Sequence, residues 1–289
     1  MKQRILITGA TGFLGSNLLE RLREDSGLAV FAKKFDLTNS QDVISYIKIS
    51  KPDIVYHLGA LVDLTRSFDI ARKTAEANIV GTVNLLEACM KHPVKKFIFA
   101  STEEVYGEGR LPYKETDGVN PPSPYAVTKL IGEHLVRLYA SRISENSLVL
   151  RIGTMYGPHQ PERRFIYQII HKALNNEDIP LTAGTNTRDY IYVDDVVEAL
   201  VSAKETTYSE PFEIINVGSG HMTSLTQLAE VIVEASGSSS RLRTGVIPDR
   251  IGEAKEWLSD ITKVKKILGW VPKTDIQTGI KKTIVWIKK

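Results

Sequence analysis

Residues 4–15 of the chain read RILITGATGFLG, an apolar run followed at once by three glycines at intervals of three. The run 4–8 is typical of a buried strand, and the residues that follow Gly15 have the spacing of an amphipathic helix to about Arg23. A glycine-rich turn between a strand and a helix binds phosphate, because the backbone amides of the helix N-terminus point at it. The stretch therefore predicts a dinucleotide site at the start of a parallel α/β sheet.

Each glycine has its own role in this prediction. Gly9 permits the tight turn, Gly12 lets a pyrophosphate approach the backbone, and Gly15 lets helix and strand pack closely. A structural turn in an unrelated α/β protein is the alternative to a cofactor site. The other residues of the expected phosphate cradle are Thr11, Phe13 and Leu14.

The second predicted strand, 28–32, bears on which dinucleotide is bound. Sites that prefer NAD usually place an acidic residue at the end of this strand, where it holds the ribose hydroxyls. Here the next residues are Lys33 and Lys34, and two ammonium groups would suit the 2′-phosphate of NADP. We therefore expect NAD or NADP, with a preference for NADP; a solvated loop is the alternative interpretation of the lysines.

Further residues are expected to line the cofactor. The strand predicted at 53–58 ends in small residues, which let backbone run beside a cofactor, and His57 within it is expected to be a hydrogen-bonded core residue. Asp36 can accept from the adenine amino group or cap a helix at 39–49. Asn78, within a helix expected at 71–91, can tie down adjacent loops or be a surface amide. The full set is Asp36, Leu37, Leu58, Gly59, Ala60, Asn78 and Ser101.

The buried strand predicted at 96–100 leads into a hydroxyl and two carboxylates. Ligands of parallel α/β sheets bind beyond the carboxyl ends of the strands, so Thr102, Glu103 and Glu104 are candidate site residues. The hydroxyl can hydrogen-bond a sugar oxygen, and a carboxylate can move a proton. If the chain continues as a strand, the two glutamates point in opposite directions, and we expect only one to face a substrate while the other is solvated.

Tyr125 and Lys129 are four residues apart at the start of a predicted helix, so their side chains share one face. A free Tyr has a pKa of about 10, and a nearby cation lowers this pKa by favouring the phenolate. The pair is therefore a candidate for proton transfer in a carbonyl–alcohol interconversion. The same spacing also occurs on ordinary solvated helices.

Composition excludes several classes of protein. The 289 residues are 42% hydrophobic and 25% charged, which is ordinary for a soluble globular protein, and a net charge of +3 gives no argument for nucleic acid. The single cysteine, Cys89, cannot form an intrachain disulfide and is expected to be a buried thiol in a reducing cytoplasm. No membrane-spanning run, signal peptide or metal-ligand spacing is recognised, so we expect a cytoplasmic protein without a membrane partner or metal.

Taken together and in this order, the motifs resemble those of the extended short-chain dehydrogenase/reductase family acting on nucleotide sugars. The resemblance covers nearly the whole chain. Its motifs are Gly9-xx-Gly12-xx-Gly15, Ser101-Thr102-x-Glu104-Val105-Tyr106-Gly107, Tyr125-xxx-Lys129, Tyr156-Gly157-Pro158, Arg188-Asp189-Tyr190-Ile191-Tyr192-Val193-Asp194-Asp195, Asn216-Val217-Gly218 and Leu268-Gly269-Trp270-Val271-Pro272.

The resemblance implies a role for each catalytic candidate. Tyr125 would be the acid/base, Lys129 would lower its pKa and hold the nicotinamide ribose, and Thr102 would orient the sugar. Family members oxidise C4 of the sugar to a ketone. A Thr-x-Glu pair, here Thr102 and Glu104, resembles the dehydratases and decarboxylases, whereas Glu103 replaces the aspartate usual in 4,6-dehydratases. We expect an NAD(P)-dependent epimerase/dehydratase-type enzyme, with dehydration placed first.

Two other functions remain open. The short N-terminal region and Lys33–Lys34 also resemble the NADPH-dependent 4-keto-6-deoxysugar reductases. A redox-sensing protein that binds the cofactor without turnover is the third hypothesis, although a sensor has no need of a proton donor such as Tyr125.

The substrate side also follows from the resemblance. Thr154 occupies a position where the family usually has an asparagine that contacts the substrate. Arg188 and Arg250 resemble two contacts to the diphosphate of a nucleotide sugar, a role that suits the planar guanidinium.

The expected fold is α/β, with a doubly wound parallel sheet of the Rossmann type and a smaller C-terminal α/β substrate domain. The dinucleotide-binding domain would comprise 1–150 and about 188–217, and the substrate domain 151–187 and 218–289. Relatives form homodimers through the helices equivalent to 76–91 and 125–142, so we expect a homodimer.

Overall fold

Within the residues that the computed structural model describes, 2–63, 67–248 and 254–289, a six-stranded parallel sheet forms the larger unit. The described strands are β1 (Gln3–Thr8), β2 (Leu28–Phe31), β3 (Ile54–His57), β4 (Val94–Thr102), β5 (Ser144–Ile152), β6 (Thr154–Tyr156), β7 (Ile179–Pro180), β8 (Thr187–Tyr192), β9 (Phe212–Val217), β10 (Met222–Ser224) and β11 (Leu242–Arg243). The order of strands in the large sheet is β2-β1-β3-β4-β5-β9, and every neighbouring pair is parallel. The doubly wound sheet predicted from the glycine motif is therefore confirmed.

Helices cover both faces of this sheet, which explains why its strands are almost continuously apolar. The described helices are α1 (Phe13–Arg23), α2 (Ser40–Ser50), α3 (Ala71–Ala75), α4 (Gly81–Lys91), α5 (Pro124–Ile143), α6 (Phe165–Leu174), α7 (Val193–Glu205), α8 (Leu225–Ser236), α9 (Thr262–Leu268) and α10 (Ile276–Ile287). Along β1, Ile5 and Ile7 face the layer that contains α1 and α7, whereas Leu6 faces the layer that contains α2, α4 and α5.

The strand order reverses at β1, whose two neighbours are β2 on one side and β3 on the other. Such a reversal opens a crevice beyond the carboxyl ends of the strands, where ligands bind. Gly9 follows β1 and Gly59 lies just beyond β3, and the two backbones approach so closely that a Cβ on Gly9 would lie 2.7 Å from Gly59 Cα. The predicted cofactor turn is therefore located at the switch point of the sheet.

The smaller unit is built on a second sheet, with strand order β10-β8-β6, and on the short pair β7–β11. Its apolar core lies between β6 and β8 and the helices α6, α8 and α10. The segment 188–217, expected to return to the large sheet, is divided between the units. β8 belongs to the small sheet, whereas α7 packs against α1 and β9 joins β5.

Local structure differs from the sequence expectation in three places. The helix expected at 71–91 consists of α3, a π-helical turn at Glu76–Val80, and α4. The cap of α2 is Asn39, whose side chain accepts from the amides of Gln41 and Asp42, so Asp36 does not have that role. After β4 the chain forms a 3₁₀ turn at Glu103–Val105 instead of remaining extended. No helix among the described residues is both long and apolar enough to cross a membrane.

Candidate active site

The glycine turn has the geometry that phosphate binding requires. Gly9 adopts φ +71°, and its carbonyl accepts from the amide of Gly12, which is the first residue before α1, at 2.9 Å. A Cβ on Gly15 would lie 2.1 Å from the Gly9 carbonyl oxygen. Thr11 and Gly12 are exposed, whereas the side chain of Leu14 is buried in the core. The start of α1 is thus open to a ligand, with Phe13 half-buried beside it.

The segment after β2 carries the residues expected near the adenosine. Lys33, Lys34 and Asp36 are all exposed. The Asp36 carboxylate accepts from the amide and the hydroxyl of Thr38, both at 2.8 Å, and these bonds lower the pKa of Asp36. Leu37 packs toward Gly59, and its carbonyl accepts from the side-chain amide of Asn84 at 2.8 Å. Sequence reasoning missed Asn84, because a helix-surface amide carries no distinctive pattern.

Asn78 links two parts of the site through hydrogen bonds: helix α5 and the loop beyond β3, which contains Leu58, Gly59 and Ala60. Its side-chain oxygen accepts from the amide of Leu61 at 2.7 Å. Its side-chain nitrogen donates to the Leu61 carbonyl at 3.1 Å and to the Thr128 hydroxyl at 2.9 Å. Asn78 is only 3% exposed, so it is a buried tie between loops and not a surface amide.

His57 is a core residue, as predicted. Its ring nitrogens lie 2.7 Å from the Thr8 hydroxyl and 2.9 Å from the Thr82 hydroxyl. Burial, together with the charge of Lys129, lowers the pKa of His57 to about 3, so the ring is neutral at physiological pH.

Tyr125 and Lys129 lie on the buried face of α5. The helix begins with Pro124, and the Ser123 hydroxyl caps it by accepting from the amide of Ala126 at 3.0 Å. Tyr125 is 9% exposed and Lys129 is 3% exposed. Among the described residues neither the phenol nor the ammonium has a hydrogen-bond partner, although Lys129 Nζ lies 4.2 Å from the centre of the Phe99 ring. A proton-transfer group and a cation are therefore held side by side with their polar atoms uncommitted.

The expected lowering of the Tyr125 pKa by Lys129 is not observed. Burial and the nearby Glu104 carboxylate raise the pKa of Tyr125, and Arg164 is the cation that opposes them. Burial lowers the pKa of Lys129 to about 7, an effect that the carboxylate of Glu133 opposes. The sequence expectation considered only the helical neighbour and omitted desolvation, which is the larger effect for both groups.

The turn after β4 directs its two glutamates to different partners while burying both. Glu103 is 2% exposed, accepts from the Thr154 hydroxyl at 3.1 Å and from the Ser259 hydroxyl at 3.4 Å, and burial raises its pKa well above the usual range. Glu104 is 6% exposed and close enough to Tyr125 to raise the pKa of the phenol. The expectation that one glutamate is solvated is therefore wrong, and Glu104 is the carboxylate beside Tyr125.

Thr102 forms the junction between β4 and this turn. Its hydroxyl accepts from the amide of Glu104 at 3.2 Å, and the turn packs against α5. Thr102 is half-buried, so its side chain lies at the edge of the same cleft.

Of the substrate candidates, Arg188 and Thr154 lie on the small sheet, and Arg250 lies outside the described residues. The Arg188 guanidinium donates to the carbonyls of Thr187 at 2.7 Å and Lys255 at 3.1 Å, and it lies 5.5 Å from the centre of the Trp257 ring. The Thr154 hydroxyl is bonded to Glu103. Thr154 therefore joins the two units in addition to any contact with a substrate.

Ser101, expected near the cofactor, is buried at the end of β4. It donates to Glu133 Oε1 at 2.5 Å, and the Glu133 carboxylate also pairs with the guanidinium of Arg151, with Nη2–Oε2 at 2.7 Å. Both charged partners are buried. Sequence reasoning missed this group; the available signal was that Glu133 follows Lys129 by one helical turn.

No group of three or more metal-ligating side chains occurs in the described part of the chain. The glycine turn and the uncommitted Lys129 side chain instead fit a dinucleotide.

Comparison with known proteins agrees with this geometry. A sequence model of the NAD dependent epimerase/dehydratase family matches residues 5–218. A putative UDP-glucose 4-epimerase of Methanocaldococcus jannaschii is 31% identical and covers 98% of each chain. The dTDP-D-glucose 4,6-dehydratase of Mus musculus is 30% identical over 99% of this chain and 89% of its own length.

Among solved structures, a UDP-glucuronic acid 4-epimerase from Bacillus cereus, in complex with UDP-glucuronic acid and NAD, superposes with a TM-score of 0.91. It is 30% identical and covers 100% of this chain and 99% of its own. Epimerases and a dehydratase are thus similar to this chain to the same degree. The match to the family model and the shared fold place the chain in the NAD-dependent epimerase/dehydratase family.

Proposed function

We propose that this protein is an NAD-dependent enzyme that modifies a nucleotide-diphosphate sugar after oxidation at C4 of the sugar, with Tyr125 as the acid/base. The observation that carries the proposal is the pair of buried, uncommitted polar groups on α5, the Tyr125 phenol and the Lys129 ammonium. Their surroundings exclude bulk water, which strengthens the electrostatic control of proton transfer. A cytoplasmic location is consistent with the single, buried cysteine.

Each group in the cleft has a separate role in the proposed reaction. NAD supplies the hydride acceptor and donor when it is bound. Tyr125 moves the proton at the C4 oxygen, Lys129 holds the nicotinamide ribose, and Thr102 accepts or donates a hydrogen bond at the sugar. The glycine turn, with Gly9 and Gly12, receives the pyrophosphate at the start of α1.

Glu104 favours a further step on the oxidised sugar. A ketone at C4 acidifies the proton on the adjacent carbon C5, and a carboxylate beside Tyr125 can remove this proton and pass it to the C6 hydroxyl, which leaves as water. The hydride taken from C4 by the bound NAD would then be returned to C6. Burial raises the pKa of Glu103, and its carboxyl accepts hydrogen bonds from the hydroxyls of Thr154 and Ser259, so it is engaged within the protein. This arrangement supports dehydration as the first activity to test, and epimerisation as the activity expected if Glu104 removes no proton.

The test is incubation of the purified protein with UDP- and dTDP-linked hexoses and UDP-linked uronic acids, without added cofactor, followed by mass spectrometry. Loss of one water indicates dehydration, loss of carbon dioxide indicates decarboxylation, and an isomer of unchanged mass indicates epimerisation. The proposal fails if no nucleotide sugar is converted. Consumption of NADPH with 4-keto sugars, and no reaction otherwise, would identify the reductase.

We also propose that the site accepts NADP through Lys33 and Lys34, which follow β2 with exposed side chains. Replacing both by alanine is expected to weaken NADP binding about ten-fold, because each exposed ammonium contributes at most about 1 kcal/mol to a charge contact. NAD binding is expected to change less than two-fold, and calorimetry with both dinucleotides measures the difference. An equal loss for NAD and NADP would contradict a contact to the 2′-phosphate.

A homodimer through 76–91 and 125–142 is supported by apolar side chains exposed on those segments. Val80 is 45% exposed, Val127 is 41% exposed and Leu138 is 73% exposed. Val127, Ile131 and Leu138 form one stripe along α5, and such a stripe on a soluble protein is typical of a contact surface.

Replacing Leu138 by glutamate is expected to convert the dimer to a monomer, since two copies of the charge would be buried near each other in a symmetric interface. Light scattering measures the mass of each form. The matched control is Ile49→Glu, at a residue that is 70% exposed on α2, which should leave the mass unchanged. A wild-type protein that is already monomeric would contradict the proposal.

A further inference from the structure

Beneath Tyr125 and Lys129, a buried carboxylate connects α5 to two strands of the large sheet. Glu133 is 2% exposed and accepts from the Ser101 hydroxyl on β4 at 2.5 Å. It also accepts from Arg151 on β5, from Nε at 3.1 and 3.2 Å and from Nη2 at 2.7 Å. Ser101 and Arg151 are directly paired in the sheet, so one carboxylate holds one helix and the ends of two strands.

The same group extends toward β9. The Arg151 guanidinium lies 4.7 Å from the centre of the Tyr106 ring, and the Tyr106 hydroxyl donates to Asn216 Oδ1 at 2.7 Å. Each of these side chains is buried. A buried charged group is costly to desolvate unless it is paired, and within this unit Glu133 and Arg151 pair with each other.

Both ends of this unit adjoin the proposed catalytic groups. Glu133 follows Lys129 by four residues and Tyr125 by eight, so all three side chains project from one face of α5. On the strand side, Ser101 immediately precedes Thr102. The hydrogen bond between Ser101 and Glu133 therefore spans the gap between the helix that carries Tyr125 and the strand that carries Thr102.

We propose that Glu133 is a positioning residue, which fixes α5 against the tip of β4 through Ser101 and places its negative charge one helical turn from Lys129, on the same face of α5. The proposal rests on the function proposed above, because it assigns Glu133 a task in placing Tyr125, Lys129 and Thr102. It adds a residue that neither the motifs nor the cleft itself includes.

The charges that face Lys129 determine the direction of the expected effect. On α5 the neighbouring groups are the Glu133 carboxylate and the neutral phenol of Tyr125. The His57 ring on β3 is neutral, and Phe99 on β4 contributes only the face of its aromatic ring. Arg151 on β5 is a cation, but it is paired with Glu133. Burial lowers the pKa of Lys129 to about 7, and the Glu133 charge raises it. Removing that charge therefore lowers the pKa further, and the cation is lost at a lower pH.

The first test is Glu133→Gln, which keeps the shape of the side chain and removes its charge. We expect kcat to fall about ten-fold with little change in KM, because the interaction acts on the reacting geometry. The alkaline limb of the kcat profile is expected to move to lower pH. The same shift is expected in the pH dependence of NAD affinity measured by calorimetry, a measurement that needs no substrate.

The second test is Ser101→Ala, which removes the tie to β4 and leaves the ion pair intact. We expect a several-fold loss of kcat with an unchanged alkaline limb, since the charge of Glu133 remains. This variant also decides the matter if Glu133→Gln does not fold: a wild-type kcat for Ser101→Ala would then overturn the proposal, and a reduced kcat would support it.

Three results separate this proposal from the proposed function. A folded Glu133→Gln protein with wild-type kcat and wild-type pH profiles overturns the positioning role. Activity that survives in Tyr125→Phe overturns the proposed function instead. A loss of NAD affinity in Glu133→Gln that is uniform across pH indicates a merely structural role and also overturns the proposal.

Discussion

Tyr125→Phe is expected to lower kcat about 10³-fold or more while leaving the fold and NAD binding intact. Loss of a positioned acid/base costs two to four orders of magnitude, about 10²–10⁴-fold. The phenol has no hydrogen-bond partner among the described residues, so its removal breaks no hydrogen bond in that part of the chain. Turnover of the nucleotide sugar found to react measures the loss, and the amount of NAD bound per chain shows whether the site survives.

Tyr139→Phe is the matched control, because Tyr139 lies on the same helix, is partly buried in the sheet–helix core and is far along α5 from the cleft. It should retain wild-type turnover. If Tyr125→Phe also turned over at the wild-type rate, the proton would be carried by another group and the assignment of Tyr125 would be wrong.

Gly15→Ala is expected to reduce the melting temperature by about 10 °C and to abolish NAD binding. The added Cβ would lie 2.1 Å from the Gly9 carbonyl oxygen and 2.7 Å from Ala10 Cα, and both of these are backbone atoms that cannot rotate away. Overpacking of this kind costs about 1–3 kcal/mol, and each kcal/mol corresponds to about 2–4 °C in a domain of this size. Differential scanning fluorimetry and calorimetry with NAD measure the two effects.

Two other glycines serve as controls for this result. Gly118→Ala places its Cβ where no other atom lies within 4 Å, so it should alter neither stability nor binding. Gly12→Ala meets the Gly9 carbonyl oxygen at 3.2 Å, so it should keep most of the stability yet weaken NAD binding by covering the exposed turn. Equal melting temperatures for Gly15→Ala and Gly118→Ala would contradict the close packing of α1 against β1.

The parts of the fold that depend on local sequence could be predicted. The apolar run before Gly9, the glycine spacing and the alternation of strands and helices led to a parallel sheet with its cofactor turn at the first crossover, and the structure has this arrangement. The core position of His57 was predictable for the same reason, because it lies inside an apolar strand.

Features that depend on contacts distant in sequence could not be predicted. Glu103 and Glu104 were expected in an extended chain, but the Thr102 hydroxyl caps a turn there, and Ser259 lies 156 residues away from the glutamate that it contacts. The Tyr125 pKa was predicted in the wrong direction because burial is a property of the whole fold.

The lysines beyond β2 have a consequence that does not involve the cofactor. β2 is one of the two edge strands of the large sheet and is four residues long, and in the described part of the chain no strand pairs with its outer edge. A very short edge strand with adjacent lysines is a known safeguard against such pairing, because like charges repel as two edges approach. Neutralising Lys33 and Lys34 would therefore remove charges that protect this edge from aggregation. A variant designed to change the dinucleotide preference should replace these lysines with other charged residues and not with apolar ones.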